Sequence, residues 1–342
     1  MAERHKIAVA GLGRIGWTFH FKQANLSPDF DLVAVVDPLQ ERLDEARAAS
    51  ECRGYLTYEE LWKRERPDVV AIATPTTLHE RMTVRALREG CHVILEKPMT
   101  TSLRSADRMI AEAEKQGRRI FVYQPHRLTP ETQTAKAILA SGVLGPVYLI
   151  RRTACRFVRR NDWQSLRRNG GGMLNNYGAH FLDQVRYLSD GSPVADIRCH
   201  LWAAATVGDA DDVVKAWLKT DSGQLLEVEI NQATAWNAPP WHVCGKYGSM
   251  VQEGGAFHLK VYDPAEAPPI EIIAGAAPGR KYDLGDRLPW KEEVIPILPE
   301  KQLDFYRNIH EVLTEGAVPH IAIEESRELM QILDACRKRA KF

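Results

Sequence analysis

Residues 7–16 read Ile7-Ala8-Val9-Ala10-Gly11-Leu12-Gly13-Arg14-Ile15-Gly16, and a helix-compatible segment follows to about Asn25. The four leading residues have buried-strand composition, and the G-x-G-x-x-G that follows them sits where a strand turns into a helix. A second apolar run, LVAVVD at 32–37, ends in Asp37, which lies 21 positions after Gly16. That spacing is close to the ~20 expected of a dinucleotide-binding βαβ unit. Gly11 permits the tight turn, Gly13 lets the backbone approach a pyrophosphate, and Gly16 lets helix and strand pack closely. The helix N-terminus then offers amides and a positive dipole to the phosphates. A carboxylate at Asp37 accepts from the ribose hydroxyls of NAD and repels a 2′-phosphate, so NAD is expected ahead of NADP. The plain alternative for Asp37 is a turn or capping residue before Pro38.

Outward from that stretch, strand and helix alternate without hairpin signals. Residues 68–75, 91–96 and 119–123 read as further strands, with helices at 38–50, 58–66, 77–89 and 102–117. This rhythm predicts a parallel sheet covered on both faces, with ligands at the carboxyl ends of its strands. After Tyr123 the rhythm changes. A helix near 131–140, the strand VYLIRR, a Gly-rich helix entry at 170–172 and successive strand-like segments from 197 to 262 predict an open, mostly antiparallel sheet. The expected fold is therefore α/β, with a Rossmann domain at 1–123 and a substrate-binding and oligomerisation domain at 124–342. Seven prolines between 264 and 299 predict a long extended excursion, and helices at 301–314 and 323–340 close the chain and pack back on the first domain.

The 342 residues carry 45 Lys+Arg against 45 Asp+Glu, with 44% hydrophobic and 26% charged residues. A packed core is affordable, and zero formal charge removes the footprint of a general nucleic-acid or anionic-membrane binder. The start MAERHK runs directly into a strand and no run approaches the ~18 apolar residues of a spanning helix, so a cytoplasmic location is expected. The six cysteines have neither zinc spacing nor a C-x-x-C, which predicts reduced thiols and no metal site.

The fingerprint, Thr74-Pro75, His79, the tripeptide Glu96-Lys97-Pro98 after a strand, and the run from Gly170 to Asp183 (GGGMLNNYGAHFLD) together resemble the Gfo/Idh/MocA oxidoreductases over almost the whole chain. The resemblance implies hydride transfer on a sugar, inositol or related polyol, and a sheet used for assembly into dimers or tetramers. It places Lys97 and His180 at the reacting carbon as the catalytic pair. It implies cofactor contacts at Arg14 and Ile15 within the fingerprint, at Thr74, Pro75, His79, Glu96 and Lys97, and at Gln124 near the nicotinamide. Substrate contacts are implied at Lys97, Asn176, Tyr177 and His180. Many members carry aspartate where this chain has Asn176, so a negative charge beside the base is missing here.

The residues support the same reading on their own terms. Lys97 lies just past a parallel strand, where a partly desolvated lysine can orient a hydroxyl and offset its developing charge. Asn176, His180 and Asp183 fall at i, i+4 and i+7 of a predicted helix and share a face. A surface lysine and a satisfied core histidine are the plain alternatives. Seven arginines between 151 and 168, with Arg156 and Trp163 among the candidates for substrate contact, leave open an anionic sugar derivative or a solvated loop. Trp236, Trp241 and His242 suit either a sugar-stacking surface or sheet packing, with packing favoured. Two rival functions remain: a glycoside hydrolase that oxidises its sugar only transiently on bound NAD, and a non-enzymatic sugar sensor on the same scaffold.

Overall fold

The computed structural model describes residues 4–270, 272, 275 and 287–340. Its first sheet is built from β1 (His5–Ala10), β2 (Phe30–Val36), β3 (Arg53–Tyr55), β4 (Val69–Ile72), β5 (His92–Glu96) and β6 (Ile120–Tyr123), all parallel, in the order β3-β2-β1-β4-β5-β6. Ile7, Val9, Val69 and Ile72 are wholly buried, as the unbroken apolar runs require of strands covered on both faces. Each such side chain contributes about 1.5–3 kcal/mol. The covering helices are α2 (Gln40–Ala49), α3 (Tyr58–Arg64), α4 (His79–Arg88) and α5 (Leu103–Gln116). Local chemistry sets their ends: Ser102 accepts from the Ser105 amide to open α5, and Gly117 closes it at a φ of 62°. The helix after the glycine loop, α1, is wound as a π-segment over Gly16–Phe21 before continuing as Lys22–Leu26.

After α6 (Pro130–Ala140), the second sheet gathers β7 (Val147–Cys155), β8 (Val194–Trp202), β9 (Val213–Thr220), β10 (Leu225–Asn231), β11 (Trp241–Gly245), β12 (Gly248–Glu253), β13 (Ala256–Val261) and β14 (Lys291–Pro296). Their order is β14-β13-β12-β11-β7-β10-β9-β8, antiparallel except for the central pair β7 and β10. Alternate residues such as Ala216, Leu218, Leu226 and Val228 are buried beneath α7 (Ala179–Leu188) and α9 (Ile323–Arg339). The other face carries Lys215, Trp217 and Glu229 and is half open.

Two corrections follow. The proline-rich span 264–299 is not wholly irregular, because β14 lies within it; as an edge strand it pairs on one side only, so the missing amide of Pro296 breaks nothing. Pro278 lies outside the described residues. Strands β11 and β12 had no distinct sequence signal, and Trp241–Gly245 pairs with β7 from across the chain. The C-terminal helices reach both sheets. Tyr306 of α8 (Phe305–Thr314) is buried against Phe30, and α9 is tied to α5 by Arg327 to Asp107 at 2.7 Å and by the Leu103 amide donating to Asp334 at 2.9 Å. No helix among the described residues is long and apolar enough to cross a membrane.

Candidate active site

The glycine loop leaves the first sheet between β2 and β4, where strand order reverses. Gly11 adopts a φ of 94°, and a side chain there would lie 2.7 Å from the Ala73 carbonyl oxygen. At Gly16 a β-carbon would fall 1.8 Å from the Gly11 carbonyl oxygen, so this glycine lets α1 close on the loop. At Gly13 it would meet nothing within 4 Å, which leaves the backbone open to a ligand. Asp37 is buried, accepting from the Leu12 amide at 2.8 Å and the Leu39 amide at 3.0 Å, with the Arg42 guanidinium at 3.2 Å. It therefore braces the loop as well as standing at its rim. Arg14 and Ile15 are exposed on the first turn of the helix.

Thr74 and Pro75 lead from β4 into a short 3-10 turn that ends at His79. The His79 ring is buried, with Nε2 2.9 Å from the Thr74 carbonyl and Nδ1 3.2 Å from those of Pro98 and Met99. Burial holds its pKa below the usual histidine value. Expected among the cofactor contacts, His79 instead has both ring nitrogens turned into the protein, where it ties the 74–75 loop to the Glu96-Lys97-Pro98 loop. Glu96 accepts from the Lys97 amide at 3.1 Å and faces His20 Nε2 at 3.1 Å, while His20 Nδ1 lies 2.9 Å from the Tyr306 hydroxyl. Gln124, at the end of β6, is 1% exposed, yet neither its side-chain oxygen nor its nitrogen has a partner among the described residues. A buried orphan amide and an open glycine cradle, both following strands of the same parallel sheet, fit a nicotinamide dinucleotide, since such an amide forfeits its hydration unless a ligand pairs with it.

Lys97 extends from the first sheet to the helix of the second. Its Nζ donates to the Asn176 carbonyl at 3.2 Å and to the Asn176 side-chain oxygen at 3.3 Å. Asn176 lies in a π-wound turn, Leu174–Gly178, that leads into α7, and its amide donates to Gln164 at 2.8 Å. Burial, with Arg14 nearby, pulls the Lys97 pKa down to about 8. His180 is 6% exposed, its Nδ1 is buried without a partner among the described residues, and its ring stacks on His126 with centroids 4.0 Å apart. Burial first, then the charge of Lys97, holds its pKa well below the usual value, so its resting form is neutral imidazole. Burial likewise holds His126 down to about 4. His126 thus belongs to the constellation, and its place two residues past Gln124 was the only sequence sign of it.

Asp183 does not replace the missing carboxylate at Asn176. It forms a buried bidentate pair with Arg127, at 2.5 and 3.0 Å, and Arg127 also holds Glu325 of α9 at 2.6 Å. The arginine cluster disperses: Arg151 pairs with Glu227 at 2.8 Å, Arg152 with Glu131 at 3.2 Å, and Arg160 with Asp162 at 2.5 Å. Among the described residues the Arg156 guanidinium reaches only the Tyr177 hydroxyl, at 3.4 Å. Trp163 is 58% exposed on the loop before α7 and makes no side-chain bond to Lys97 or His180. Trp241 is fully buried with its indole nitrogen bonded to Glu131, Trp236 is exposed, and the His242 ring meets Cys244 at 3.2 Å. The cysteines are unbridged, and no cluster able to hold a metal occurs among the described residues.

The profile for an oxidoreductase family with an NAD-binding Rossmann fold matches residues 5–124, and that for the Gfo/Idh/MocA C-terminal domain matches residues 132–251. Scyllo-inositol 2-dehydrogenase (NADP(+)) of Bacillus subtilis is 24% identical over 98% of this chain and 94% of its own length. D-glucoside 3-dehydrogenase of Escherichia coli is 30% identical, but the match spans 57% of each protein. The solved structure of an NAD-binding protein from Listeria innocua superposes with a TM-score of 0.83 at 23% identity, covering 99% of this chain and 97% of that one. The chain belongs to the Gfo/Idh/MocA family of oxidoreductases.

Proposed function

We propose that the chain is a dehydrogenase moving a hydride between a nicotinamide cofactor, NAD in preference to NADP, and a CH–OH carbon of a sugar, inositol or related polyol. The observation that carries the reading is that Lys97, from the first sheet, bonds Asn176 four residues before His180 and lies near enough for its charge to act on the His180 ring. The named activities of the inositol and glucoside dehydrogenases among its relatives point the same way. When bound, the nicotinamide supplies the acceptor for the hydride.

In this reading His180 takes the hydroxyl proton as the carbinol carbon becomes a carbonyl. A neutral imidazole can do so, and its stack on His126 fixes the ring plane. Lys97, charged below about pH 8 and held by Asn176, offsets the charge growing on that oxygen. Gln124 would hold the nicotinamide, the glycine loop the pyrophosphate, and Asp37 the ribose. Arg42 could pair with a 2′-phosphate only by leaving Asp37, which supports NAD as the preferred cofactor. The stacked His200 and Trp202, exposed at the open sheet's edge, support a homo-oligomer.

The test is nicotinamide absorbance with NAD and NADP separately, across inositols, aldoses and glycosides, with His180→Ala beside the parent. NADH appearing with one class and falling at least a hundredfold in the variant is expected. Release of an aglycone without net NADH would instead establish redox-neutral cleavage.

A further inference from the structure

A cavity of about 560 Å³ opens between β7, β10 and the start of α7. His126 and Tyr177 form its inner wall, so it begins beside the ring stacked on His180 and one residue from the amide that holds Lys97. Its volume suits a six-carbon sugar or a group of that size.

Two observations define its chemistry. Arg156 lines the cavity with no acidic partner among the described residues, its guanidinium directed to the Tyr177 hydroxyl at 3.4 Å and lying 5.9 Å from that ring's centroid. The neighbouring Arg152 is neutralised by Glu131 and spends its other donors on Gln184 and the Pro240 carbonyl, so one positive charge is left over in the wall. Gln232, also in the wall, is 2% exposed, and its side-chain oxygen is buried without a partner among the described residues. An oxygen of this kind accepts only, so its natural complement is a hydroxyl. A single free guanidinium matches a single carboxylate through paired N–H donors.

We infer that this cavity is a subsite for the carboxylate arm of a polyhydroxylated acid, so that the substrate class is a sugar acid, with Arg156 binding the carboxylate and Gln232 accepting from a ring hydroxyl. The inference rests on the dehydrogenase reading for the part of the substrate at Lys97 and His180, while the subsite itself stands on binding alone.

The experiment is calorimetric titration of the NADH-loaded protein, in which no oxidation of the sugar competes, with D-glucuronate, D-galacturonate, D-glucose, D-galactose and D-glucose 6-phosphate. Each uronate is expected to bind at least tenfold tighter than its neutral parent and tighter than the phosphate. In Arg156→Gln the uronate preference should fall below twofold, and in Arg156→Lys it should be partly kept, because charge returns without the fork. Gln232→Leu should weaken both members of each pair alike. Equal affinity of acid and neutral sugar, no binding of either, a phosphate tighter than the uronates, or a preference that survives Arg156→Gln would each overturn the subsite. NADH formation from the same acids with NAD reads the dehydrogenase proposal separately: Arg156-dependent binding without turnover would remove that reading and leave the subsite in place.

Discussion

Lys97 and His180 are tuned by one physical cause, their removal from water, and its effect on both is to favour the neutral form. For His180 that is the form a proton acceptor needs. For Lys97 it is the form that abolishes charge stabilisation, so the two residues bound the working pH from opposite sides. Activity should be lost as pH rises through about 8, where Lys97 gives up its proton, and should stay level on the acid side until well below the ordinary histidine range, where His180 becomes charged. A profile of kcat/KM against pH checks this; an alkaline limb at the unperturbed lysine value of about 10.4 would contradict it. Asn176 enters the same account. It supplies Lys97 with two neutral acceptors and no negative charge, so no carboxylate at that position draws either pKa upward. Whether a lysine or histidine is desolvated is a property of its surroundings, which is why residue identity at 97 and 180 pointed to the chemistry and left the protonation states open.

Helix α7 carries His180 and is held by buried ions. The Arg127–Asp183 pair is almost fully buried, with side chains 3% and 2% exposed, and Glu325 joins α9 to it. Burying such a pair costs desolvation, but removing one partner costs more, because a charge is left in the interior. Asp183→Ala should therefore destabilise the protein by about 3–5 kcal/mol, and the double change Arg127→Met with Asp183→Leu should restore much of that loss. Urea unfolding of the three proteins checks it: a single change costing under about 1 kcal/mol would show that the pair is not anchoring the helix. The helix pattern was legible in sequence as Asn176, His180 and Asp183 on one face. Its detail was not, because the π-turn over Leu174–Gly178 inserts Asn176 at a different angle and the arginine that claims Asp183 lies 56 residues away.

Across the whole molecule, the C-terminal helices close what the two sheets begin. Tyr306 of α8 is 1% exposed; it meets His20, Phe30 and Phe19, and through His20 it reaches Glu96 beside Lys97. Tyr306→Ala should cost about 3–5 kcal/mol, the usual range for a large aromatic truncated in a core. It should also weaken NAD binding, since His20 loses the hydroxyl that sets its ring against Glu96. Thermal melting and calorimetric titration with NAD check the two parts, and unchanged NAD affinity would disconnect α8 from the loop of Lys97. The sequence by itself determined the α/β class, the first sheet and its glycine cradle, and the identities at Lys97, Gln124 and His180, because these are written in local periodicity, in the steric demands of Gly11 and Gly16, and in motif spacing within one strand-to-helix unit. Tertiary structure alone decided that β11, β12 and β14 are strands, that Arg152 is neutralised while Arg156 has no acidic partner among the described residues, and that His126 lies on His180. Each of these depends on partners far along the chain, and such pairings are set by packing the whole molecule, where no local pattern records them.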